Sequence, residues 1–70
     1  MEEKIMCWRN KFSGEEGYVK NVSRKKGYFE ATKDRKKAKV YKKESLISKD
    51  MDFLREIGEM DQNDFSLCLV

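Results

Sequence analysis

Seventy residues allow one domain, spanning 1–70, and a chain this short buries only about 60% of the surface its unfolded form exposes. Charged residues (41%) outnumber apolar ones (39%), near the border of disorder, but four Phe, three Tyr and one Trp argue for a folded chain. The complete absence of histidine removes the commonest general base and the commonest metal ligand, and the net charge of +3 conceals a strong internal asymmetry.

The first apolar segment, Lys4 to Phe12, alternates: Met6, Trp8 and Phe12 fall on one side, Ile5 and Cys7 on the other. That period of two predicts a strand with one strongly apolar face. Ser13-Gly14-Glu15-Glu16-Gly17 supplies small residues and glycines for a reversal. Tyr18 to Ser23 reads as a second short strand. Arg24-Lys25-Lys26-Gly27 is the next turn, with Gly27 expected at positive φ. Tyr28 to Thr32 is a third strand, rich in β-formers. Thr32 or Asp34 is placed to cap a brief helical turn through Lys37 and Ala38, after which Val40 and Tyr41 enter the core.

Glu44 to Ile57 is the clearest element. At about 100° per residue, Leu46, Ile47, Met51, Phe53, Leu54 and Ile57 fall within an arc of about 160°, which predicts an amphipathic helix. Gly58 stands where a left-handed C-cap belongs. Glu59 to Asp64 reads as a polar loop, and Phe65, Leu67 and Leu69 alternate with Ser66 and Cys68 in a last strand. The expected fold is α+β: an antiparallel sheet of about four strands, ordered β-β-β-α-β, with the helix packed on one face. The last strand is expected to pair with the first, because those two carry the heaviest apolar faces. Such a sheet leaves an unpaired edge, so a homodimer is a possible state.

Thr32, Asp34, Ala38 and Tyr41 form a Thr-x-Asp-x-x-x-Ala-x-x-aromatic segment between the third strand and the helix. With the strand of Met6 to Phe12 before it and an apolar strand at the end, the chain resembles small accessory proteins of phages and mobile elements common in Firmicutes. The resemblance spans most of the chain, and it implies a protein that blocks a host enzyme or defence system stoichiometrically. It carries over no catalytic or binding residue.

Catalytic and metal chemistry is sparse. Cys7 and Cys68 lie near opposite ends, match no zinc spacing, and are expected as free thiols packed as small hydrophobes in a reducing compartment. Asp61-Gln62-Asn63-Asp64 lacks the glycine and distal glutamate of a calcium loop. No phosphate loop or nucleophile elbow is present. No enzyme, no cofactor and no metal site is therefore expected. No apolar run approaches the roughly 20 residues that cross a bilayer, and Met1-Glu2-Glu3-Lys4 does not resemble a signal peptide, so a cytoplasmic protein without a membrane partner is expected.

Charge is the strongest functional signal. Residues 24–43 hold ten basic side chains against Glu30 and Asp34, a local net of +8; residues 44–70 hold seven acids against Lys49 and Arg55, a net of −5. Arg24, Lys25, Lys26, Lys33, Arg35, Lys36, Lys37 and Lys39 are the candidate partner-binding residues, with Tyr18 beside them as the tyrosine expected to be most exposed. Such a patch suits an acidic groove on a host protein or protein–nucleic acid complex. It equally suits RNA or DNA directly, with aromatic stacking added, or serves only to keep a small domain soluble. Asp52, Glu56, Glu59, Asp61 and Asp64 offer a thinner alternative, a mimic of a phosphate backbone. Asp50 interrupts the apolar arc of the helix and must find a partner at the core margin, a Tyr, Trp or Lys, or serve as a polar spot at an interface.

Overall fold

Alternation in the first segment produces the middle of the sheet. In the computed structural model, which describes residues 2–70, β1 (Lys4–Asn10) is flanked on both sides. The last strand, β5 (Asn63–Leu69), runs antiparallel to it along its whole length, from Lys4 opposite Leu69 to Asn10 opposite Asn63. The expected pairing of first and last strands is therefore present. The other edge of β1 is shared. β2 (Glu16–Ser23) pairs with Cys7 to Arg9, and a two-residue strand, β4 (Val40–Tyr41), pairs with Lys4 and Ile5.

The sharing follows from a bulge. Between Val19 and Asn21, β2 carries one more residue than its partner β3 (Tyr28–Thr32), and an extra residue bends a strand. β2 turns away from β1 there, and β4 fills the vacated edge, tied to β2 by the Lys39 N–H donating to the Val19 carbonyl at 2.9 Å. The sheet curls far enough that side chains from its two outer strands touch: the rings of Phe29 on β3 and Phe65 on β5 meet edge to face, 5.7 Å between centroids.

Cross-strand partners share a face. Met6, Trp8 and Phe65 lie on the face covered by α1 (Glu44–Glu56), while Ile5, Cys7, Tyr18, Ser66 and Cys68 lie on the other. The buried cluster is Met6, Val19, Tyr41, Ile47 and Leu54, with Trp8, Phe29, Met51 and Phe65 packed around it. α1 ends where its pattern stops. Gly58 takes the left-handed conformation at φ 82° and donates to the Arg55 carbonyl, a position that would strain a residue with a side chain. Gly27 is at φ 74° in the β2–β3 turn, as expected. Between β3 and β4, a single 3-10 turn (Arg35–Lys37) is capped by Asp34, whose carboxylate accepts from the Lys36 N–H at 2.9 Å. Thr32 in turn accepts from the Asp34 N–H. No helix among the described residues is long and apolar enough to cross a membrane.

Four details depart from expectation. Residues 59–62 form a short helix, α2 (Glu59–Gln62), rather than a loop. Val40 and Tyr41 are a strand in their own right, and alternation sends only Tyr41 into the core, leaving Val40 41% exposed. β1 stops at Asn10, leaving Phe12 82% exposed, because the Asn10 side chain accepts from the N–H groups of Phe12 and Ser13 and turns the chain first. Gly17 is not a turn residue. It lies buried in β2 beneath the Trp8 indole, whose Nε1–H donates to the Tyr18 carbonyl at 3.3 Å. A Cβ at Gly17 would sit 2.7 Å from that ring and 3.0 Å from the Thr32 carbonyl oxygen.

Deleting residues 65–70 removes the full-length partner of the central strand, and the truncated chain should lose its cooperative urea transition; a sharp transition in that chain would show that β5 is dispensable. Gly17→Ala should lower stability by about 1–2 kcal/mol in the same assay, since overpacking beneath a ring outweighs the small gain from a less flexible unfolded chain.

Candidate partner-binding surface

Asp50 lies on the inner side of α1 between Ile47 and Leu54, and it is only 2% exposed. A carboxylate there is stable only if both oxygens are satisfied. They are. The Tyr41 hydroxyl donates to Oδ2 at 2.6 Å, Lys39 Nζ donates to the same oxygen at 2.9 Å, and Arg24 Nη2 donates to Oδ1 at 2.7 Å. Lys39 and Tyr41 are two apart on an extended segment and so point the same way, while Arg24 follows directly on β2. The cluster thus joins the helix, β4 and the end of β2. Burial alone would raise the Asp50 carboxyl, but the Tyr41 hydrogen bond, with the hydrogen bond and charge of Lys39 and the charge of Arg24, holds it below the ordinary range. The Tyr41 hydroxyl is pushed well above its ordinary value, first by burial and then by its bond to the ionised carboxylate. Of the two readings open to Asp50, the hydrogen-bonded residue at the core margin is the one present.

The basic segment is not one patch. Arg24 and Lys39 are anchored on Asp50. Lys33 donates to the Glu16 carbonyl and lies over the Trp8 ring, 5.2 Å from its centroid. Arg35 reaches across the face opposite the helix to the Leu69 carbonyl and covers the Tyr18 ring at 5.9 Å. Lys25 and Lys26 on the β2–β3 turn, and Lys36 and Lys37 on the 3-10 turn, are exposed and make no ion pair among the described residues.

Tyr18 is half-buried rather than exposed. β2 starts two residues earlier than expected, which pairs Tyr18 with Cys7 on one side and Thr32 on the other, beneath Arg35. The exposed tyrosine is Tyr28, at 41%.

Arg24, Lys25, Lys26 and Lys39 line a groove of about 430 Å³ between the β2–β3 turn and α1, with Val22 and Leu46 as its apolar walls. Neither Val22 nor Leu46 stood out as a site residue in the sequence. Leu46 had a legible signal, a place at the margin of the apolar arc, and it is 41% exposed. The depression beyond Arg24, lined by Lys49, Asp52, Phe53, Arg55 and Glu56, is of mixed charge. The acidic region is partly neutralised: Asp52 bonds Arg55 at 3.1 Å and Asp64 faces Lys11 at 3.8 Å. Compared with protein-family models, curated proteins and solved structures, the chain matches none.

Asp50→Ala should destabilise the fold by about 2–4 kcal/mol, because it leaves a buried hydroxyl and two cations without their shared acceptor; Tyr41→Phe should cost about 1 kcal/mol. The folded-state carboxyl is depressed, so its stabilising contribution is complete above pH about 4, where the unfolded carboxyl is ionised. That contribution is lost as pH falls toward and through the lower folded value. Urea midpoints measured across that range should show a steep acid limb in the native sequence and a shallower one in Asp50→Asn. Equal limbs would mean that Asp50 does not drive the acid sensitivity.

Proposed function

We propose that this is a non-enzymatic binding protein that acts stoichiometrically on a host protein or protein–nucleic acid complex, inhibiting a defence system in the manner of an anti-CRISPR or anti-restriction protein. The observation that carries the reading is the groove beside Asp50. Its rim holds four cations, two of them fixed in direction by the carboxylate, and its walls are apolar. That combination suits an acidic protein segment with one or two apolar side chains, since charge guides the encounter and the apolar contact adds affinity. Fixed cations lose little freedom on docking, which favours binding by a rigid surface. The resemblance of the Thr32 to Tyr41 segment to phage accessory proteins supplies the biological setting. Its four matching residues have structural work here: Thr32 and Asp34 cap the 3-10 turn, and Ala38 and Tyr41 are buried.

A second reading, direct binding of RNA or DNA, has one observation in its favour. Tyr28 is exposed immediately after the Lys25-Lys26-Gly27 turn, where phosphate attraction and base stacking could act together.

The two readings separate on fluorescence anisotropy with labelled single- and double-stranded RNA and DNA at low and physiological salt. Weak, salt-labile binding is expected at most. In parallel, phage plating on hosts carrying a CRISPR or restriction system should rise when the protein is expressed. It should fall back with Lys25→Glu/Lys26→Glu, whose circular dichroism should match that of the native sequence. Tight nucleic-acid binding that collapses with salt and with the double substitution would replace the first reading by the second.

A further inference from the structure

The two cysteines stand 61 positions apart in the chain, yet their sulfurs are 2.7 Å apart. The strand order explains the meeting. β1 and β5 pair with Ile5 opposite Cys68 and Cys7 opposite Ser66, so the cysteines are diagonal neighbours on the face away from α1. Neither is joined in a disulfide, and both are half-buried. They lie in an open depression of about 500 Å³ with Tyr18, Lys33, Arg35 and Glu16 around them, within reach of a small reagent. A disulfide requires the sulfurs at about 2.05 Å, and diagonal neighbours whose sulfurs are already in contact are placed to form one.

We propose that Cys7 and Cys68 are a disulfide-forming site, oxidised by an anionic small-molecule disulfide to a bond that locks β5 onto β1. In the first step one cysteine thiolate attacks a sulfur of the reagent, forming a mixed disulfide and expelling one reagent thiol. In the second, the neighbouring cysteine attacks the protein-borne sulfur of that mixed disulfide and expels the other. The protein loses two electrons and two protons, and the reagent leaves as two thiols. Lys33 and Arg35 on the rim outnumber Glu16 and favour a negatively charged reagent. Burial first, then the contact with Cys68, pushes the Cys7 thiol up to about 11 against the opposing charge of Arg35, so the reaction quickens as pH rises. The bond would span nearly the whole chain and join the two strands on which the sheet closes. Oxidation therefore stiffens the fold without adding a contact. This site is independent of the groove beside Asp50.

The test is to incubate the reduced full chain with oxidised glutathione, and separately with the cationic disulfide cystamine. Oxidised glutathione should produce a monomer lighter by two hydrogens, without free thiols, and should act faster than cystamine at low salt. The melting midpoint should rise on the order of 10 °C and return on reduction, because cross-linking a long loop constrains the unfolded chain. Cys68→Ser should instead stop at a stable mixed disulfide on Cys7, and Cys7→Ser at one on Cys68, with no rise in midpoint. Persistent free thiols, two glutathione adducts on one chain, or disulfide-linked dimers would overturn the proposal. Equal rates with the two reagents would overturn its preference for an anionic one.

Discussion

A carboxylate on the inner side of a helix is unfavourable unless its surroundings are built for it, and the layout of this domain can be followed outward from the bonds made to Asp50. The apolar core is thin, centred on five buried side chains. Apolar contacts are non-directional and would tolerate several rotations of α1 against the sheet. The three donors on Asp50 remove that freedom, because Tyr41, Lys39 and Arg24 arrive from two different segments and meet one carboxylate in one orientation. The bonds do not make the interior more attractive than a well-packed apolar one would be. They set which way the helix faces and where the β2–β3 turn comes to rest.

The same bonds shape the surface. In a chain with so many lysines, a basic side chain is ordinarily a mobile, solvated charge. Here Arg24 and Lys39 are held in place, Lys33 and Arg35 are draped across aromatic rings onto backbone carbonyls, and Lys25, Lys26, Lys36 and Lys37 project freely. A sequence-wide excess of charge is thus sorted into cations that maintain the fold and cations left exposed to solvent. Arg24 belongs to both groups, since its side chain is half exposed while it holds Asp50.

Much of this was legible from period and turn chemistry. Alternation located β1 and β5, helical spacing located α1, and Gly58 marked its end. The isolated misfit Asp50 announced its own need for partners. What could not be read was how particular side chains settle once the strands and turns are laid against one another. Gly17 looks like every other turn glycine until Trp8 is laid over it. Phe12 continues the alternation of β1, but bonds local to Asn10 turn the chain before it. Tyr18 changes from exposed to half-buried because a strand begins two residues early. The candidate site suffered most. A run of basic residues in sequence became several separate environments, and the meeting of Cys7 with Cys68 depends on the register of the β1–β5 pairing, which the expected pairing of first and last strands left open.

The central place of β1 also bears on the order in which the domain can assemble. β2 and β3 follow β1 closely and can form a hairpin-linked half-sheet early, but the other edge of β1 stays open until β5 has been made, after α1 and α2. Pairing across so long an intervening segment is slow, since the loop must close before the contacts reward it. Until it does, Ile5, Met6 and Trp8 sit on a strand with one bare edge. Such a strand is a template for neighbouring chains. The interval before β5 docks is therefore when this protein is most prone to aggregate.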